Sequence, residues 1–269
     1  MKPTTELFDL IKSLTANEKR YFKLNASFQK GNKNYLILFD AIESQKIYDE
    51  IEIKREFKRE KILDNLTFTK NYLYKLIFKS LNSYAEEKSV DSKLTNILNR
   101  CRILFDKALI KQYFKTVQSG KQLALKHERF GYVLEFLNIE RQLTKKENLT
   151  GKNSDDNFVS VYNQEEIILG KISIINKYKQ ALNLLFKIRR SEGLVRNEEC
   201  DKSINSILKS LNLSDMHKAE SVSIKESEIF AKQLAYENKG DLEKAYSFSR
   251  QRYEIIKSNP LIFHNSLYQ

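Results

Sequence analysis

The sequence predicts an all-α protein, and three observations carry that expectation. Proline occurs only at positions 3 and 260 of the 269 residues, so the interior of the chain contains no obligatory helix breaker. Apolar residues recur at helical spacing, as in Leu94, Ile97, Leu98, Cys101, Phe105, Ala108 and Leu109, which form one continuous stripe. Period-two alternation is nearly absent, its best example being the short piece from Phe158 to Tyr162.

Taken in order, the elements follow from stripes and from start and stop signals. Thr15 with Glu18 matches a capping box at the start of a helix, and Ser223 with Glu226 repeats the pattern near the other end. Tyr35, Leu36, Ile37, Leu38 and Phe39 are almost wholly apolar, and a helix carrying them belongs in a core. Leu73, Leu76, Ile77, Ser80, Leu81 and Tyr84 define a second amphipathic helix, and Ile204, Ile207, Leu208 and Leu211 a shorter one. Asp91 and Asn163 read as helix N-caps. Asn148 to Gln164, with Gly151, Ser154, Asp155 and Asp156, reads as a loop, and Glu165 to Arg190 as a helix of several turns. Gly31, Gly193 and Gly240 fall just past periodic segments, where freedom to adopt positive φ ends a helix. The expected total is roughly ten helices joined by short turns, an α-hairpin array.

At the C-terminal end the pattern acquires a recognisable form. The stretch Ile229 to Pro260, IFAKQLAYENKGDLEKAYSFSRQRYEIIKSNP, resembles a tetratricopeptide repeat (TPR), with Tyr236, Gly240, Asp241 and Ala245 at the matching offsets. It departs at Ile229, Gln233 and Ser249, with Phe248 one residue before the aromatic position and Pro260 three residues late. A weaker echo lies at Leu109 to Arg129. The expected architecture is therefore an antiparallel helix-pair array, a TPR-like α-solenoid spanning 91–269 and incomplete at its C-terminal end, preceded by an N-terminal helical module over 1–90. After Pro260 the chain continues through Leu261, Ile262, Phe263, Leu267 and Tyr268, which predicts either a further helix in a longer parent or a tail folded back on the preceding pair. The resemblance implies a protein-binding scaffold whose concave side carries Ser227, Phe230, Leu234, Glu237 and Asn238.

Composition narrows the function classes. Forty-one per cent of residues are hydrophobic, enough for a real core. The longest run without a charged residue, Ser258 to Gln269, is shorter than the ~20 apolar residues of a membrane span. The N-terminus lacks the apolar core of a secretory signal. Cys101 and Cys200 are too few for a disulfide framework or a thiolate metal site, and a reducing, cytoplasmic setting is expected. The seven glycines form no G-x-G and no phosphate loop, and His127, His217 and His264 lie too far apart in sequence to make a zinc signature. No catalytic residue, metal, cofactor or small-molecule substrate is expected, nor a membrane partner.

The charge of +12 is uneven. Residues 1–90 carry 17 basic and 13 acidic side chains, 91–190 carry 19 and 10, and 191–269 carry 11 and 12. A positive middle third favours encounter with polyanions. Lys187, Arg189 and Arg190, at the end of a long helix, are the expected binding cluster, with an acidic peptide as the expected partner; their structural role would be to complement the helix dipole. The alternative function is transcriptional regulation. Asp49 to Lys61, a turn at Asp64 to Thr67 and a helix from Phe68 to Tyr84 would form a helix-turn-helix presenting Asn71, Lys75, Lys79 and Asn82, with Lys70 nearby, to a major groove. Glu52, Glu56 and Glu60 on the preceding helix oppose that reading, because they would repel phosphates.

Ala245 occupies the close-approach position of the matched repeat. Ala245→Leu is expected to overpack the helix pair and to cost ~1–3 kcal/mol in thermal or urea unfolding; a neutral result contradicts the placement of the repeat.

Overall fold

The computed structural model describes residues 5–27, 34–58, 65–149, 155–192, 198–211 and 221–263. Among these the chain forms thirteen helices and no strand. The chain divides into two compact units, Met1–Lys93 and Leu94–Gln269.

The first unit contains α1 (Glu6–Ser13), α2 (Ala16–Ser27), α3 (Asn34–Ser44), α4 (Glu50–Glu56) and α5 (Leu66–Lys88), followed by the start of α6 (Val90–Asp106). Ile11, Leu38, Phe39, Ile42, Ile53, Leu73 and Ile77 are completely buried in one core. The apolar run of α3 is buried through Tyr35, Leu38, Phe39, Ala41 and Ile42, as expected of a helix lying inside a core. The capping box at α2 forms: Thr15 N donates to Glu18 Oε2 at 2.8 Å and Glu18 N to Thr15 Oγ1 at 3.3 Å. Asp49 caps α4 by accepting from Ile51 N and Glu52 N at 2.8 and 3.1 Å. Gln45 in turn serves both backbone groups of Asp49, accepting from its N–H at 3.1 Å and donating to its carbonyl at 2.9 Å.

The second unit holds most of α6 with α7 (Ile110–Lys126), α8 (Phe130–Leu149), α9 (Asp155–Glu192), α10 (Glu198–Ser210), α11 (Val222–Lys239), α12 (Leu242–Ser258) and α13 (Pro260–Phe263). Helix α8 packs on α7 and α9, and α11 packs on α9 and α12, with α10 against α9 and α11. Three of the turns use one design. Leu109 N, Arg129 N and Asp241 N each donate at 2.9–3.0 Å to the carbonyl five residues back, of Leu104, Ala124 and Tyr236. This closure requires a left-handed residue just past the helix. Gly240 supplies it with φ 75°, but the other two turns use Ala108 with φ 55° and Glu128 with φ 50°. Gly31 and Gly193 lie outside the described residues.

Close packing has its own glycine. A Cβ on Gly120 of α7 would sit 2.3 Å from Phe136 Cζ of α8 and 2.8 Å from Ile97 Cγ2 of α6, so any larger residue forces these two side chains to shift. Cys101 is fully buried and burial raises its thiol pKa, as expected for an inert core residue.

Several boundaries differ from the sequence reading. Helix α9 begins at Asp155, so the second half of the expected loop at Asn148 to Gln164 is helical, including Phe158 to Tyr162, and Asn163 is inside a helix instead of capping one. Val161 is buried there, extending the apolar stripe of a helix that runs ~57 Å at 1.5 Å per residue. Asp91 lies in the first turn of α6, one residue inside it. The stripe from Leu94 is not a single helix face: α6 ends at Asp106, and Phe105 and Leu109 are exposed at the turn. Beyond Pro260, Phe263 is buried and His127 Nδ1 donates to the carbonyl of Leu261 at 2.8 Å, so this part of the tail folds onto the α7–α8 turn; Leu267 and Tyr268 lie outside the described residues.

Ala108 carries a Cβ in the left-handed region, where a non-glycine side chain crowds the following carbonyl. Ala108→Gly is therefore expected to stabilise the protein by about 1 kcal/mol, read as a rise in the urea midpoint with an unchanged slope.

Candidate functional site

Helix α11 is the element around which the candidate site is built. Its N-cap is Ser221, whose Oγ accepts from Ile224 N at 3.3 Å; the box expected at Ser223 and Glu226 does not form. The carboxylate comes from elsewhere in the chain. Glu128, at the left-handed position of the α7–α8 turn, accepts from Val222 N and Ser223 N, each at 2.8 Å, and from Ser221 Oγ at 3.1 Å. Glu226 instead receives Arg252 Nε of α12 at 2.6 Å.

The five residues expected on a concave face all lie on α11, and helix α9 covers much of that face. Leu234 is buried in a cluster with Leu185 and Ala235. Asn238 is also buried and donates from Nδ2 to the Leu185 carbonyl at 2.9 Å. These two are closed to a partner, because their side chains are what docks α11 onto α9. Phe230 is half-buried: its ring lies 6.1 Å from that of Phe186, and the Arg252 guanidinium sits 3.7 Å from its centroid. Ser227 is half-buried. Glu237 accepts from Arg189 Nη1 at 2.6 Å and from Gln233 Nε2 at 2.8 Å. The expected cationic cluster is thereby split: Arg189 is held in an ion pair between α9 and α11, while Lys187 and Arg190 are exposed.

On another side of α11 a cavity of about 370 Å³ opens between α10 and α12. Leu208 of α10, Leu211 just beyond it, Tyr236 of α11 and Phe248 of α12 give it apolar walls. Asn205, Lys209, Glu228 and Lys232 add polar groups. Phe248, one residue before the repeat's aromatic position, stacks on Tyr236 with centroids 5.6 Å apart and planes 16° apart. The displacement of the aromatic therefore serves the wall. Lys232 pairs with Glu228 at 2.8 Å and lies 5.9 Å from the Phe248 centroid. Lys209 is exposed and makes no ion pair with a described residue. Apolar walls under a few charged groups suit the side chain of a peptide. Of this set the repeat pattern matched Tyr236 and found Phe248 as its displaced aromatic. The stripe of α10 identified Leu208 and Leu211 as apolar, but nothing in it says that they border a cavity.

In the first unit, Asn71, Lys75, Lys79 and Asn82 are all exposed on α5, opposite buried Leu73, Leu76, Ile77 and Ser80. Lys79 also borders a cavity of about 200 Å³ with Tyr21, Asn25 and Ser83. Helix α5 begins at Leu66, and the turn expected before it lies partly outside the described residues, as does Glu60. Lys70 does not join that face. It is tied to Glu50 of α4 and donates to Tyr48 Oη.

No metal-holding group of three or more His, Cys, Asp or Glu side chains occurs among the described residues. No described helix is long and apolar enough to cross a membrane. Comparison of the chain with family models, with curated proteins and with solved structures finds no match.

Glu50 yields a pH prediction. Hydrogen bonds from Lys54 and then Lys70 lower its carboxyl from 4.5 to about 2. A carboxylate held down in the folded state contributes stability above pH 4.5, and the contribution is lost as pH falls toward 2. Glu50→Gln is expected to lower the urea midpoint of the first unit at neutral pH and to flatten its decline across that window. A decline as steep as that of the parent protein would contradict the ion-pair assignment.

Proposed function

We propose that this chain is a non-catalytic, TPR-like helical-repeat protein that holds a partner polypeptide at the cavity between α10, α11 and α12. The cavity is the observation that carries the reading: its Leu208, Leu211, Tyr236 and Phe248 walls can take an apolar side chain, and Asn205, Lys209, Glu228 and Lys232 can orient the peptide backbone or its charges. The recurring left-handed turn after α6, α7 and α11 supports a repeat architecture, since stacked helix pairs reuse one connection. The function belongs at the cavity and not on the concave side implied by the repeat, because α9 occupies much of that side through Leu185 and Arg189.

The test places a photo-crosslinking amino acid at Lys209, an exposed residue of the cavity. A polypeptide product is expected in cells. It should be lost when Leu208→Trp fills the cavity, with the helical circular dichroism retained, and kept when the same crosslinker is paired with Lys187→Glu on α9. A product that persists unchanged in Leu208→Trp overturns the proposed site.

A further inference from the structure

Part of the positive charge of the middle third lies on an element other than the one carrying Lys187, Arg189 and Arg190. From Arg100 to Lys126 there are seven basic residues and one acidic residue, Asp106. Helix α7 has four lysines and no acidic residue. Lys121 is buried and paired with Glu140 at 2.6 Å. Lys111, Lys115 and Lys126 are exposed, and none makes an ion pair with a described residue.

The spacing places these residues in two lanes. Lys111, Lys115 and Lys126 recur at i, i+4 and i+15, which at 100° per residue keeps them within one narrow arc. Ile110, Phe114 and Leu125 recur at i, i+4 and i+15 as well, one residue out of step, and form a parallel apolar lane beside the basic one. All three are open to solvent, at 45%, 49% and 42%. The opposite side of α7, through Tyr113, Val117, Gly120 and Ala124, is buried. The two lanes run ~22 Å, about four helical turns.

We propose that the exposed face of α7 docks an acidic amphipathic helix of a partner protein. Carboxylates on one edge of such a helix would meet Lys111, Lys115 and Lys126, and its apolar edge would cover Ile110, Phe114 and Leu125. Charge complementarity selects the partner's sign and sets its register, and the apolar lane supplies slow dissociation. A nucleic-acid backbone uses the basic lane alone and leaves the apolar lane in water. This surface lies on other elements than the cavity, so the two proposals stand or fall separately.

The experiment is fluorescence anisotropy on the full chain at about 0.15 M salt. Its probe is a labelled helix of ~20 residues, long enough to hold its helical form, with Leu and Phe on one edge and Glu on the next. Parallel arms use a scrambled peptide of identical composition, a random DNA duplex and phosphatidylserine vesicles. The helix is expected to bind about tenfold more tightly than the scrambled peptide. Lys111→Glu with Lys115→Glu, and separately Phe114→Ser, should each weaken it about tenfold. Lys187→Glu with Arg190→Glu, a control of equal charge change on α9, should leave it unchanged. Equal binding of the scrambled peptide, equal loss in the α9 control, or no loss in the α7 variants overturns the proposal. So does tighter binding of duplex or vesicles that the α7 variants abolish, which assigns the face to a phosphate surface. Circular dichroism of each variant distinguishes lost binding from lost fold, and Lys111→Gln with Lys115→Gln gives the same reading should the double Glu variant unfold.

Discussion

The carboxylate of Glu128 is the constraint on which the second unit turns. It joins the α7–α8 turn to the first residues of α11, 93 to 95 positions later, by satisfying two backbone N–H groups and the N-cap hydroxyl together. A helix start carries unsatisfied donors and partial positive charge, so an anion there answers both needs at once. Glu128 reaches them from a left-handed backbone conformation that a glycine would adopt more easily, but a glycine has no carboxylate to offer. Beside it, His127 donates to Leu261, so one three-residue turn holds both the beginning of α11 and the segment after α12. The orientation of α11, and with it the walls of the cavity, depends on this turn.

The two proposed surfaces use opposite solutions to the same problem of placing apolar groups near water. At the cavity, Tyr236 and Phe248 stack on each other and lysines lie near both rings, with Lys244 5.2 Å from Tyr236 and Lys232 5.9 Å from Phe248. The lysine ammonium groups lie over the ring faces. On α7 the apolar side chains stand in the open beside cations that lack ionic partners among the described residues. Elsewhere the lysines that face acidic residues are engaged, as Lys23 is with Asp40 and Glu43, and Lys239 with Asp201. Binding capacity follows from which charges remain uncommitted, and the net charge of a segment does not report that.

Much of the architecture was legible in the residues. Helical content followed from the scarcity of proline and from stripes such as Leu73, Leu76, Ile77 and Ser80, because the period of 3.6 residues is a property of the local backbone. The Thr15–Glu18 box and the end of α11 at Gly240 were readable for the same reason, since each is completed within a few residues. The division of α5 into a buried side and an exposed Asn71, Lys75, Lys79 and Asn82 side also followed from periodicity.

What tertiary structure decided involves partners distant in sequence. The Ser223–Glu226 box was locally plausible, yet Ser221 took the cap and Glu128 supplied the anion from another hairpin. Leu234 and Asn238 had the offsets of a binding surface, but α9 lies across them, and no offset within α11 can say which helix will pack there. The turns at Ala108 and Glu128 lack the glycine that would mark them, and at Glu128 the side chain that glycine lacks makes a long-range cap. Local periodicity determines that a residue lies on a helix and on which side. Whether that side meets another helix, a cavity or solvent is settled only by the fold, since burial is a property of the neighbours.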